Sequence, residues 1–134
     1  MLPDNSVKEL SELQLNRAKE LIKFIPGVIE LGDYNSVVNR SYYAAFHAIK
    51  SIELLDDSDS KKHSGVIAFF RLNYIKTGII DSKYSKIIGR LQEARESSDY
   101  DVMANFTLQD AQEMYEMAKE FVNAIEKYLN EKLD

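Results

Sequence analysis

The chain has 134 residues, 45% of them hydrophobic and 29% charged, with a formal net charge of −5 and no cysteine. That length suits a single domain spanning residues 1–134 with its own buried core, and the composition excludes a disordered chain. Disulfides and thiolate metal sites are excluded too, and the acidic balance argues against wrapping duplex nucleic acid, while leaving room for a local patch that holds a strand or a nucleotide.

The opening stretch MLPDNSVKELSEL has neither the basic start nor the apolar centre of a signal peptide. No apolar run approaches the roughly 18 residues that cross a bilayer. A cytoplasmic protein without a membrane partner is therefore expected. A first helix is predicted from about Ser6 to Leu31, where Leu15, Ala18, Ile22, Ile25 and Ile29 recur at three- and four-residue steps. Pro26 removes a backbone donor and predicts a kink or a break. Gly32 then ends the helix, and Asp33 or Asn35 caps the next.

The second helix is predicted from about Tyr34 to Leu55, with a core stripe of Val38, Tyr42, Ala45, Ile49 and Ile52. Beside it runs a strip of small residues, Ser41, Ala44, Ala48 and Ser51, over which another helix can approach closely; strip and stripes together suggest a two-fold dimer. DDSDSKKHSG is the longest polar loop. A third helix spans about Ser64 to Lys76 and stops before Gly78. A fourth starts near Asp81 and carries Tyr84, Ile87, Ile88, Leu91 and Ala94; ESSDYDVMANF breaks its pattern. The last begins at Thr107, with Asp110 completing a weak capping box, and Ala111, Met114, Ala118, Phe121, Ile125 and Tyr128 as its stripe. No stretch alternates like a strand. The expected fold is all-α, an up-and-down four-helix bundle with an additional short helix.

Arg40, Tyr43, His47 and Lys50 cluster on the side of the second helix away from its core stripe. Such a face can hold a phosphate through Arg40 and Lys50, with His47 as acid or base; equally, its tyrosine and histidine can pack at a helix or subunit contact. Arg95, in ARESSDYD, can grip a phosphate with Tyr100 beside it, or simply answer the helix dipole with Asp99 and Asp101 as solvated charges. His63 follows Lys61 and Lys62 at a helix start, a place where an anion can bind. His47 and His63 lack ligand spacing, so no zinc site is expected, and Asp56, Asp57 and Asp59 lack the glycine and closing glutamate of a calcium loop. No phosphate-cradling glycine loop or nucleophile elbow occurs, and no cofactor is implied.

GDYNSVVNRSYYAAFHAIKSIELL resembles the signature helix of the HEPN superfamily, through Asp33–Tyr34, Arg40, Tyr42, Tyr43, Ala44, Phe46, His47 and Ala48. HSGVIAFFRLNYIKTGIID followed by ARESSDYD resembles a HEPN branch in which a glycine-bearing helix precedes an Arg-x3-Asp-Tyr element. The resemblance covers about Ala18 to Leu129. It implies a helical bundle, usually homodimeric, often acting beside a nucleotidyltransferase-type partner. Many such proteins are metal-independent ribonucleases whose Arg-x4-6-His motifs meet in a cleft between protomers, where the arginine steadies the phosphate and the histidine moves a proton.

This chain departs from that pattern. Arg95 stands in the expected place, but Glu96 follows it and Tyr100 stands where the histidine is expected. A free tyrosine titrates near ~10 and accepts protons poorly at neutral pH. Arg40 and His47 have the right spacing but on a different helix. The expectation is a dimeric HEPN protein that binds a nucleotide or RNA, or assembles with a nucleotidyltransferase-like partner, through Arg95, Asp99, Tyr100 and Arg40. The alternatives are a divergent ribonuclease toxin in which Tyr100 or His47 replaces the missing histidine, and a generic helical interaction module.

Overall fold

The computed structural model describes residues 5–56, 63–101, 103 and 105–133, and the backbone alone of residues 63 and 64. Five α-helices succeed one another among these residues: α1 (Asn5–Glu30), α2 (Tyr34–Leu55), α3 (His63–Phe70), α4 (Lys83–Tyr100) and α5 (Leu108–Leu133). No strand occurs among them, and the all-α expectation holds. No helix among them is long and apolar enough to cross a membrane.

The helix ends follow from local chemistry. Gly32 adopts φ 78°, a left-handed conformation that glycine reaches without a Cβ penalty, and its N–H donates to the Ile29 carbonyl. The Asp33 carboxylate then accepts from both the Ser36 N–H and its hydroxyl, which caps α2. At α5 the box is reciprocal: Asp110 N–H donates to Thr107 Oγ1 at 3.1 Å, and Thr107 N–H donates to the Asp110 carboxylate at 2.9 Å.

Two local expectations change. Of the kink or break expected at Pro26, the break does not occur, and α1 runs through it to Glu30. Beyond the proline, Val28 and Ile29 pack with Tyr34 and Tyr115 against a small core of Ile25, Val37 and Ala111, and that packing outweighs one lost backbone bond. The third helical stretch is not uniform either. α3 continues into a π-helical turn at Arg71–Ile75, marked by a bond from Lys76 N–H to the Arg71 carbonyl. The turn sets Tyr74 in the core and lets Arg71 reach α4, where its Nε donates to Ser85 Oγ at 3.1 Å.

Cross-links show the helix directions. Ser11 Oγ donates to the Ser51 carbonyl, and Gln14 meets His47, so α1 and α2 are antiparallel. Ser98 bonds Asn35 while Arg95, one turn earlier on α4, lies over Tyr42, so α4 also runs against α2. Ion pairs Lys83–Glu120 and Arg90–Glu113 place α5 against α4 in the opposite sense. This is the up-and-down bundle, with α2 at its centre in contact with α1, α3, α4 and α5.

The stripe Val38, Tyr42, Ala45, Ile49 and Ile52 is fully buried, as its spacing predicts. So is the small-residue strip of Ser41, Ala44, Ala48 and Ser51. The strip is consumed inside the protomer, which leaves it no part in a subunit contact. At the far end of α2, Asp56 accepts from the buried Tyr74 hydroxyl and from Lys132 of α5, tying three elements together.

Candidate functional site

α2 is buried on all sides but one. Ser36, Arg40, Tyr43, His47, Lys50 and Leu54, spaced three and four apart, are each only partly buried. They form one face. α1 and α4 both pack on α2 rather than extensively on each other, so this face lies open beside them.

Arg95 reaches α2 from α4. The fourth helix extends through Tyr100, so Arg95 and Asp99 sit one turn apart on a helix instead of entering a loop. Their side chains pair at 3.0 Å. The guanidinium carbon lies 4.8 Å from the centre of the Tyr42 ring and 5.9 Å from that of Tyr43. Adjacent tyrosines on a helix point about 100° apart, so Tyr42 enters the core while Tyr43 stays at the edge, and one arginine lies across both. Such contacts are attractive through the negative ring face. Asp99 is held in turn by Asn39, whose amide donates to its other oxygen at 3.4 Å.

The environment holds the charge firmly. Burial by itself lowers the Arg95 pKa, and Tyr43, Tyr42, Asp99 and Tyr100 more than offset it, so the guanidinium sits above its ordinary value. Burial pushes the Tyr42 hydroxyl up to about 12, against a smaller lowering by Arg95. The Arg95 side chain is 12% exposed, and its buried Nε has no hydrogen-bond partner among the described residues. A guanidinium carries five donor hydrogens, so the pairing with Asp99 leaves donors to spare.

The other candidates are placed differently. Tyr100 is 78% exposed and five residues beyond Arg95, about 140° further round the helix at about 100° per residue. Arg40 lies on the open face of α2, where its charge also helps lower the Asp33 pKa, after the larger effect of the Ser36 bonds. His47 Nδ1 meets Gln14 Oε1 at 2.7 Å, and its ring packs edge-on to Phe46 at 5.8 Å. His47 thus engages α1, whereas Arg95 engages Asp99 and the two tyrosines. Lys61, Lys62 and the His63 side chain lie outside the described residues, as do Asp57 and Asp59. Among the described residues no group of histidines and carboxylates is placed to hold a metal ion.

Sequence reasoning missed Asn39 and Gln14 and treated Tyr42 as core alone. The available signal was helical spacing: Asn39 stands one turn before Tyr42 and Tyr43, on the side that α4 approaches.

The sequence model of the HEPN domain matches residues 11–128. The chain belongs to the HEPN family. Three curated relatives cover nearly the same length. A UPF0332 protein of Thermotoga maritima is 29% identical over 95% of this chain and 96% of its own. Two proteins of Methanocaldococcus jannaschii, each bearing the name "Putative toxin", are 31% and 28% identical; they match over 97% and 91% of this chain, and 96% and 82% of their own. In this HEPN chain the signature segment NRSYYAAFH is α2, and the Arg-x3-Asp-Tyr element is the last turn of α4 packed across it.

Proposed function

We propose that this HEPN protein is the binding component of a toxin–antitoxin-like system, that it holds RNA or a nucleotide through phosphate contacts on the open face of α2, and that it does so without efficient cleavage. The observation that carries this reading is the Arg95 guanidinium laid on Tyr42 and Tyr43, with unspent donors, beside a face that also presents Arg40 and Lys50. Arginine donors suit phosphate oxygens, and Tyr43 offers a ring on which a base can stack. The toxin-like names of two relatives support the class of system. Family resemblance supports a homodimer and a nucleotidyltransferase-like partner protein. Cleavage lacks a group in the right place: the His47 ring is engaged with Gln14 of α1, and Tyr100 projects from another side of α4.

Incubation of the purified chain, without metal, with a pool of structured and single-stranded RNA separates binding from turnover. The expected result is retention of RNA on a filter, weakened by salt and by Arg95→Ala, with intact RNA recovered. Cleavage that disappears in Arg95→Ala establishes the ribonuclease alternative instead. Absence of retention for both RNA and mononucleotides refutes the binding reading.

A further inference from the structure

Two departures from ordinary helix chemistry meet at one arginine. α3 ends in the π-helical turn Arg71–Ile75, an irregularity that recurs at functional sites. Gly89 stands in the middle of α4, where glycine is less favourable than alanine. Both serve the same side chain. A Cβ at Gly89 would meet Arg71 Nη2 at 3.2 Å, so the glycine is the flat spot on which that guanidinium lies. Ser85, one turn earlier, fixes its orientation: Arg71 Nε donates to Ser85 Oγ at 3.1 Å, and Nη2 donates to the Ser85 carbonyl at 3.3 Å. Folds break such local rules chiefly where function needs it.

The charge of this guanidinium is unanswered. Arg17, Arg90 and Arg95 each pair with a carboxylate, whereas Arg71 is held by neutral groups and forms no ion pair among the described residues. Carboxylates are not scarce in a chain of net charge −5. Arg71 is only partly buried, and none of its donors is both buried and without a partner, so those left over face solvent. Lys86, exposed and three residues before Gly89, adds a second cation on the same surface.

The place of Arg71 relative to Arg95 names the ligand. Lys83 and Arg90 mark the side of α4 that meets α5, and Ser85 and Gly89 are turned away from it. Ser85 lies ten residues before Arg95, about 15 Å along the axis and about 80° round it. Between the two arginines this surface carries Gln92 and Gly89, both uncharged. Glu96 lies beyond Arg95, and Glu93 lines a hollow against α5. Arg95 leans toward Asp99, away from Arg71, so a single phosphate does not reach both, whereas successive phosphates of a strand do.

We propose that Arg71, seated on Gly89 with Lys86 beside it, is a second phosphate site, and that a single strand of RNA held at Arg95 continues along α4 to reach it. The inference rests on the reading of Arg95 as a phosphate site and extends its ligand from a nucleotide to a strand. An unpaired strand fits better than a duplex, because Tyr43 beside Arg95 offers its ring to a free base and the chain as a whole is acidic.

Fluorescence anisotropy on folded samples compares a labelled single strand of about twelve bases, long enough to span both arginines, with labelled adenosine monophosphate. Arg71→Gln weakens strand binding about tenfold, the loss of one charge-assisted contact, and lessens the slope of log affinity against log salt by about 0.7. It leaves the monophosphate unchanged, whereas Arg95→Ala weakens both. Lys86→Glu, an exposed substitution that leaves the melting temperature unchanged, weakens the strand at least about threefold and is the deciding variant if Arg71→Gln does not fold. Unchanged strand affinity and salt slope in Arg71→Gln, or in Lys86→Glu where the first variant is unfolded, overturn the second site while the Arg95 site stands. Equal weakening of strand and monophosphate by Arg71→Gln also overturns it, since the arginine then only supports the fold around Arg95. Binding of neither ligand by the wild-type chain refutes the Arg95 reading and this inference with it.

Discussion

Arg95→Ala tests whether the arginine serves a ligand or only the fold. Its contacts set the scale. Two aromatic contacts, at 4.8 Å and 5.9 Å, contribute about 1 kcal/mol together at a partly exposed edge. The Asp99 pair adds about 0.5 kcal/mol, the usual figure for such spacing on a helix. Truncation therefore costs about 1.5 kcal/mol, which lowers Tm by roughly 5 °C for a chain this size. A phosphate held by the same guanidinium is a charge-assisted bond, and removal of its donor costs about 1.5–3 kcal/mol, or roughly 10- to 100-fold in affinity. Thermal melts and fluorescence anisotropy with a labelled single-stranded RNA at low salt measure the two quantities. Arg95→Lys keeps the charge but loses the flat guanidinium, so both its melting temperature and its affinity fall between wild type and alanine. If Arg95→Ala lowers Tm by 5 °C or more (about the figure above) while a folded sample at 15 °C binds RNA as tightly as wild type, the arginine is structural and the site assignment is wrong.

Further substitutions test the contacts around this site and in the core. Asp99→Asn removes the carboxylate that competes for Arg95, and RNA affinity should rise about threefold or more, on the scale of a weak surface pair; a fall in the same anisotropy assay shows that Asp99 positions the arginine instead. Tyr74→Phe deletes the buried hydroxyl that donates to Asp56 and to the Ile52 carbonyl, at a cost of about 2 kcal/mol in urea unfolding. The alkaline limb of stability carries Tyr42 and Tyr74, both raised chiefly by burial. Each stays protonated in the fold after its unfolded counterpart ionises, so stability is full below pH ~10 and falls as pH rises toward the folded value, about 12 for Tyr42. Tyr42→Phe should flatten that limb in melts followed between those limits. Asp33 behaves oppositely: its Ser36 bonds lower its pKa, so its contribution is present above pH ~3.9 and is lost as pH falls through the folded value. Asp33→Asn should lessen that acid dependence in the same melts.

Much of the architecture was legible because helices advertise themselves locally. The period of Val38, Tyr42, Ala45, Ile49 and Ile52 determined which side of α2 is buried, and Gly32, Asp33 and Thr107 determined where helices stop and start. These depend on residues within a turn or two of one another. The segments around Arg40–His47 and Arg95–Tyr100 likewise sufficed to suggest the family. Tertiary structure decided the rest. Packing around Ile25, Tyr34 and Tyr115 carries α1 through Pro26, and the fit of Tyr74 and Arg71 accompanies the π-helical turn. It also decided that the small-residue strip of α2 is buried inside one protomer, that Arg95 lies over Tyr42 and Tyr43, and that His47 turns to Gln14. Those partners stand on different helices, and His47 and Gln14 are 33 residues apart in the chain. Helical periodicity says which face a residue shares, and only the docking of whole helices says what that face meets.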